Sequence, residues 1–178
     1  MVSRRAGVLL AVAFLCSAAI AGFGSGHDLG KAAGMCRKDE TGPALLVAVV
    51  GLKDRAGLLK LEVYPDDDKD FLQDDKILVS EGKTFRRVEM PVPPAGPVQL
   101  CIRVPLAGRY AVSLLHDRDS NRKFTITSDG IGFAGNPKLG WSKPTAAQSA
   151  VTAGPGFTRL QIVLNYRHGL LAFRPVRR

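Results

Sequence analysis

Residues 98–106 read VQLCIRVPL, with Leu100, Ile102 and Val104 at one set of alternate positions and Gln99, Cys101 and Arg103 at the other. Successive side chains of a strand leave opposite faces, so a period of two describes a strand buried on one face. The pattern recurs in LQIVLNY (160–166), where Leu160, Ile162 and Leu164 alternate, and in GLLKLEVYP (57–65), where Lys60 and Glu62 point away from apolar neighbours. ALLVAVVGL (44–52), TFRRVEMPV (84–92) and AGRYAVSLLHD (107–117) bring the set to about seven short strands with few helical signals between them. One-faced strands must bury their apolar sides against each other. The expected fold is therefore all-β, an antiparallel sandwich of about seven strands.

The connections carry their own signals. KDRAG (53–57) is a short polar loop with glycine and predicts a hairpin between its flanking strands. PPAG (93–96) interrupts the chain, because proline removes a ladder donor. PDDDKDFLQDDK (65–76) reads as an exposed acidic loop holding at most one helical turn, and residues 118–156 as a long loop. Connectivity within the sheets is expected to be largely local, apart from whatever pairing the last strand makes. No internal repeat is visible.

A chain of 178 residues, 46% of them hydrophobic, suffices for one domain with a real core but not two. The net charge of +9 raises the question of a nucleic-acid partner. The basic residues are interleaved with acids and form no stripe with aromatics, so the charge fits an anionic envelope surface and not nucleic acid. The opening MVSRRAGVLLAVAFLCSAAIAGFGSG places Arg4 and Arg5 before an apolar run and then Ala19-Ile20-Ala21, the layout of a secretory signal. Cleavage after Ala21 is expected. A retained anchor is weakened by Ser17, Gly22 and Gly24, and a lipoprotein signal by Leu15 before Cys16. The expected organisation is a signal peptide at 1–21, a Gly-rich linker at 22–43, a sandwich at 44–166 and a basic tail at 167–178. The protein is expected to be periplasmic or secreted, and not integral to the membrane once the signal is removed.

Loss of Cys16 with the signal leaves Cys36 and Cys101, an even pair in an exported chain and a candidate disulfide. Two separate thiols are the alternative.

Four stretches between Ala44 and Tyr166 resemble a known family, the first being LLVAVVGL with GLLKLEVY, which fits its first hairpin. GRYAVSLLHDRDSNRKF (108–124) is similar to a Gly-x-Tyr-Ala strand running into a His-Asp-x-Asn-x-Asn-Gly loop in the exported bacterial proteins grouped as domain of unknown function 2141. GIGFAGNP (130–137) resembles the family's Gly-x-Gly-Phe-Ser-x-Asn segment, and LQIVLNY its closing strand. The resemblance implies a signal-bearing, immunoglobulin-like sandwich and carries over no catalytic residue. Arg122 stands where the family has glycine, and Thr125 where an aspartate usually follows.

The same loop holds the most regular oxygen array in the chain. Asp117, Asp119 and Asn121 match the first, third and fifth positions of a calcium loop, while Arg122 and Ser128 stand in place of its glycine and glutamate. Asp129 completes such a set only if the loop closes differently from an EF-hand. Flanking Arg118, Arg122 and Lys123 oppose a second cation, and Asx-turns account for the acids without one. Calcium and a self-satisfied polar turn are the two readings.

His116 and Asp117 are strand neighbours and face opposite ways. No nucleophile elbow accompanies Ser113 or Ser120, and His27 and His168 lie outside the strands. No catalytic residue or cofactor is expected. Phe133 and Trp141, set among glycines, offer either a recognition loop for a glycan or other envelope component, or a satellite core. Tyr110 fits the tyrosine that ties a loop to a strand. The functional expectation is a binding or structural module of the bacterial envelope. A calcium-dependent adhesion or matrix module using the Asp117 loop, and an envelope hydrolase, are the alternatives.

Overall fold

The computed structural model describes residues 28–140, 142–169 and 172–176. The leader at 1–21, Trp141 and the last two arginines of the basic tail lie outside the described residues. Among the described residues ten strands form two sheets. The small sheet holds β1 (Ala44–Val50), β4 (Val98–Arg103) and β8 (Phe157–Val163), with β1 central. The large sheet runs β10 (Ala172–Pro175), β9 (Asn165–His168), β6 (Gly130–Phe133), β5 (Gly108–Asp117), β2 (Leu58–Pro65), β3 (Arg86–Pro91), and β7 (Ala150–Ala153) adds to β5. The expected all-β sandwich is present, with β6 and β7 drawn from the long loop and β10 from the tail. One ladder, β1 with β8, is parallel.

The alternation fixes the faces. Leu45 and Val47 of β1, Leu100 and Ile102 of β4 and Ile162 of β8 meet Leu59, Leu61 and Val63 of β2 and Val112 and Leu114 of β5 between the sheets. The reverse face of the large sheet is covered as well. There Tyr64, Phe71, Leu78, Phe85, Ala111 and Phe133 form a second core beneath α2 (Asp75–Ser80) and the loops around it. Every residue of β5 from Tyr110 to Asp117 is consequently buried.

Two connectivity expectations are corrected. Residues 53–57 do not make a hairpin: β1 pairs with β4 and β8, β2 with β3 and β5, so this segment crosses from one sheet to the other. Nor is connectivity local before the last strand, since β1 lies beside β4 and β2 beside β5. The cause is the crossing segment's own bonding. Nε2 of His116 lies 2.8 Å from the Ala56 carbonyl, Lys53 N–H donates to the Tyr166 hydroxyl, and Arg118 Nε donates to Asp54 at 2.8 Å. Partners on β5 and β9 hold this turn, where a hairpin's would come from its own strands.

Before β1, helix α1 (Lys31–Gly34) packs on β3, and Cys36 is joined to Cys101 with their Cα atoms 5.9 Å apart. Tyr110 donates its hydroxyl to the Leu106 carbonyl at 2.9 Å, tying a loop to its strand as expected. Among the described residues no helix is long and apolar enough to cross a membrane.

Candidate functional site: a groove on the outer face of the large sheet

On the outer face of the large sheet, strand registers line up two rows. One runs Glu89, Lys60, Leu115, Ile131 from β3 to β6, the other Arg87, Glu62, Ser113, Phe133. Each row begins charged and ends apolar. Above them lies a groove of about 400 Å³, walled by Phe124 and Ile126 from the loop after β5, Leu72 from the acidic loop, Leu139 and Pro144 from the segment before β7, and Phe173 from β10. Phe124 is 45% exposed and Ile126 49%, large apolar side chains in an otherwise polar loop. The Phe124 and Phe173 rings meet at 6.2 Å between centroids.

The loop that carries this wall is built by the acids singled out in the sequence. Asp117 accepts from the backbone N–H groups of Asn121 and Arg122, at 3.1 and 2.7 Å. Asp119 accepts from the backbone and side-chain amides of Asn121, at 3.2 and 2.8 Å. Asp129 accepts from Arg118 N–H and the Ser128 hydroxyl with one oxygen, and from Thr125 N–H with the other. Thr125 lies between Phe124 and Ile126, and its hydroxyl also accepts from the Asn121 side chain at 2.9 Å. The polar turn thus sets the position of the apolar wall.

Asp117, Asp119 and Asp129 each offer an oxygen within 4.8 Å of the others. The Asn121 side-chain carbonyl accepts from Lys123 N–H at 2.7 Å. All six carboxylate oxygens of the three aspartates already accept at least one hydrogen bond from the loop. Burial raises the Asp117 pKa above the ordinary carboxylate value, and the neighbouring Asp119 and Asp129 push it the same way.

His116 faces the opposite side of the sheet from the groove and is fully buried. The Ala56 carbonyl can only accept, so Nε2 carries the proton and Nδ1, 2.6 Å away, accepts from the Tyr166 hydroxyl. Burial holds the imidazole below its usual pKa and pushes the Tyr166 phenol up to about 12. With both ring nitrogens engaged, this histidine is a clamp between β5, β9 and the crossing segment. Phe133, 5% exposed, packs edge-on against Phe71 in the second core and forms part of the groove floor.

A family model described as "Uncharacterized protein conserved in bacteria (DUF2141)" matches residues 47–161. The chain belongs to this family. No curated protein and no solved structure matches it. The DUF2141 span covers the groove floor and every wall except Phe173. The segments that carried the resemblance hold the sandwich together. A Cβ on Gly132 would lie 2.6 Å from the Ile162 side chain and 2.7 Å from the Val163 carbonyl, so β6 needs glycine to approach β8. Asn136 donates to the Gln161 carbonyl at 2.9 Å and accepts from Val163 N–H at 2.7 Å, standing in for a neighbouring strand on the β8 edge.

Sequence reasoning missed the groove. Lys60 and Glu62 point to the outer face as the alternation requires, but that face is covered, and Glu62 is only 6% exposed. The signal that could have been used was Phe124 and Ile126, two apolar residues at strand spacing inside a polar loop.

Proposed function

We propose that this protein is an exported, non-catalytic binding module of the bacterial envelope, periplasmic or secreted, whose site is the groove and whose ligand is apolar. The groove itself carries this reading: concave and about 400 Å³, with exposed Phe124 and Ile126 aimed into it, it has the size and lining of small-molecule sites. The signal-like leader, the net charge of +9 and the Cys36–Cys101 bond support export. The engagement of His116 on the far side from Ser113 supports a non-catalytic role over a hydrolase. In this reading the Asp117 loop positions the wall and is not a calcium site.

The decisive experiment is titration of the mature protein with the neutral dye N-phenyl-1-naphthylamine. Saturable fluorescence enhancement is expected, weakened about tenfold by F124S/I126S, which removes two apolar contacts. No enhancement overturns the reading. Fractionation and N-terminal sequencing test export, with the mature chain expected to begin near Gly22. Calorimetric heat on adding calcium, with a rise in Tm, would return the loop to the adhesion alternative.

A further inference from the structure

We infer that the groove's ligand is a single-chain alkyl carboxylate, with its tail over Leu115, Ile131 and Phe133 and its anionic head at Lys60 and Lys143. This rests on the groove being the binding site.

Among the described residues the charged lining consists of one carboxylate and two ammonium groups. The carboxylate is saturated. Glu62 Oε1 accepts from Arg87 Nε at 2.7 Å and lies 2.6 Å from Nη2, while Oε2 accepts from the Tyr64 hydroxyl at 2.8 Å. Arg87 also reaches Asp75 at 2.9 Å, so one guanidinium is shared by two carboxylates, and Lys60 beside Glu62 supplies the second positive charge. The ammonium groups are not saturated. Lys60 Nζ donates to the Arg122 carbonyl at 3.3 Å and stands 3.6 Å from Glu62. Lys143 Nζ donates to the Phe71 carbonyl at 2.7 Å and lies over that residue's ring. Each ammonium has three N–H donors, and these contacts use two at most.

The unfilled polar valence of the groove is therefore cationic, set beside an apolar floor. Its complement is a chain with an anion at one end. A space of about 400 Å³ takes a tail of about a dozen carbons and excludes a two-chain phospholipid.

The test displaces N-phenyl-1-naphthylamine from the mature protein at pH 7.4 with decanoate, 1-decanol or decyltrimethylammonium. Decanoate is expected to displace at about tenfold lower concentration than decanol, as charge-assisted hydrogen bonds require, and the cationic amphiphile to be weakest. In K60Q/K143Q the preference for decanoate over decanol should fall to within about twofold. Lys143 is exposed and holds only the Phe71 carbonyl and ring, so K143Q alone, with its urea midpoint measured alongside, should lose part of that preference. Equal displacement by decanol and decanoate, or a preference unchanged in both variants, overturns the carboxylate assignment while dye binding keeps the groove reading intact. Absence of dye binding overturns both.

Discussion

Arg122 has φ 63°, the left-handed region, at the position where the family loop carries glycine. The turn keeps the shape glycine would give it, because Arg122 N–H must reach Asp117. A residue with Cβ pays for that conformation, so Arg122→Gly is expected to raise stability by about 0.5–1 kcal/mol, read as a higher urea midpoint. His116 makes the second prediction at this scale. Burial lowers its folded pKa, opposed by the Ala56 carbonyl and by Asp54 and Asp129 and reinforced by Arg118. The unfolded state then binds more protons just below the ordinary histidine pKa of about 6.5. Stability from this group is full above that pH and falls as the pH drops through it toward the lower folded value. Urea unfolding from pH 7.5 to 5 should show this slope, and H116Q should lose it. The role of His116 was hidden in the sequence because its partners, Ala56 and Tyr166, are far away along the chain. That it points away from Asp117 was legible from strand geometry alone.

The strands and their buried faces were readable because a period of two is a local property, visible in Leu100 and Ile102 without knowing their neighbours. Which sheet each strand joins was not readable. The 53–57 turn has the composition of a hairpin, and only contacts from β5 and β9 make it a crossing. The groove was hidden for the same reason, since Leu72, Phe124 and Phe173 come from three separate segments. Asn136 gives the prediction for elements. Its side chain satisfies an N–H and a C=O on the outer edge of β8, where an open strand would recruit another chain. Asn136→Ala should cost about 1–3 kcal/mol and bring concentration-dependent self-association, measurable by sedentation velocity or light scattering. A monomer at all concentrations would count against the edge-plug role.

For the whole molecule, the Cys36–Cys101 bond closes a 65-residue separation and fastens the segment before β1 to an outer strand of the small sheet. Chain entropy assigns such a loop about 4 kcal/mol, so C36A/C101A or full reduction should lower the urea midpoint, with a loss of unfolding free energy of up to that amount at unchanged fold. An unchanged midpoint would mean that the unfolded chain is already held together there. The sandwich has a second whole-chain dependence. Ala44, at the start of β1, is paired with Phe157 in β8, and Leu164 alone separates β8 in one sheet from β9 in the other. A polypeptide made from its N-terminus therefore cannot complete either sheet until residues 157–168 have been synthesised. Until then β1 has only β4 beside it and β6 lacks β9, so each sheet keeps a strand waiting for a distant partner.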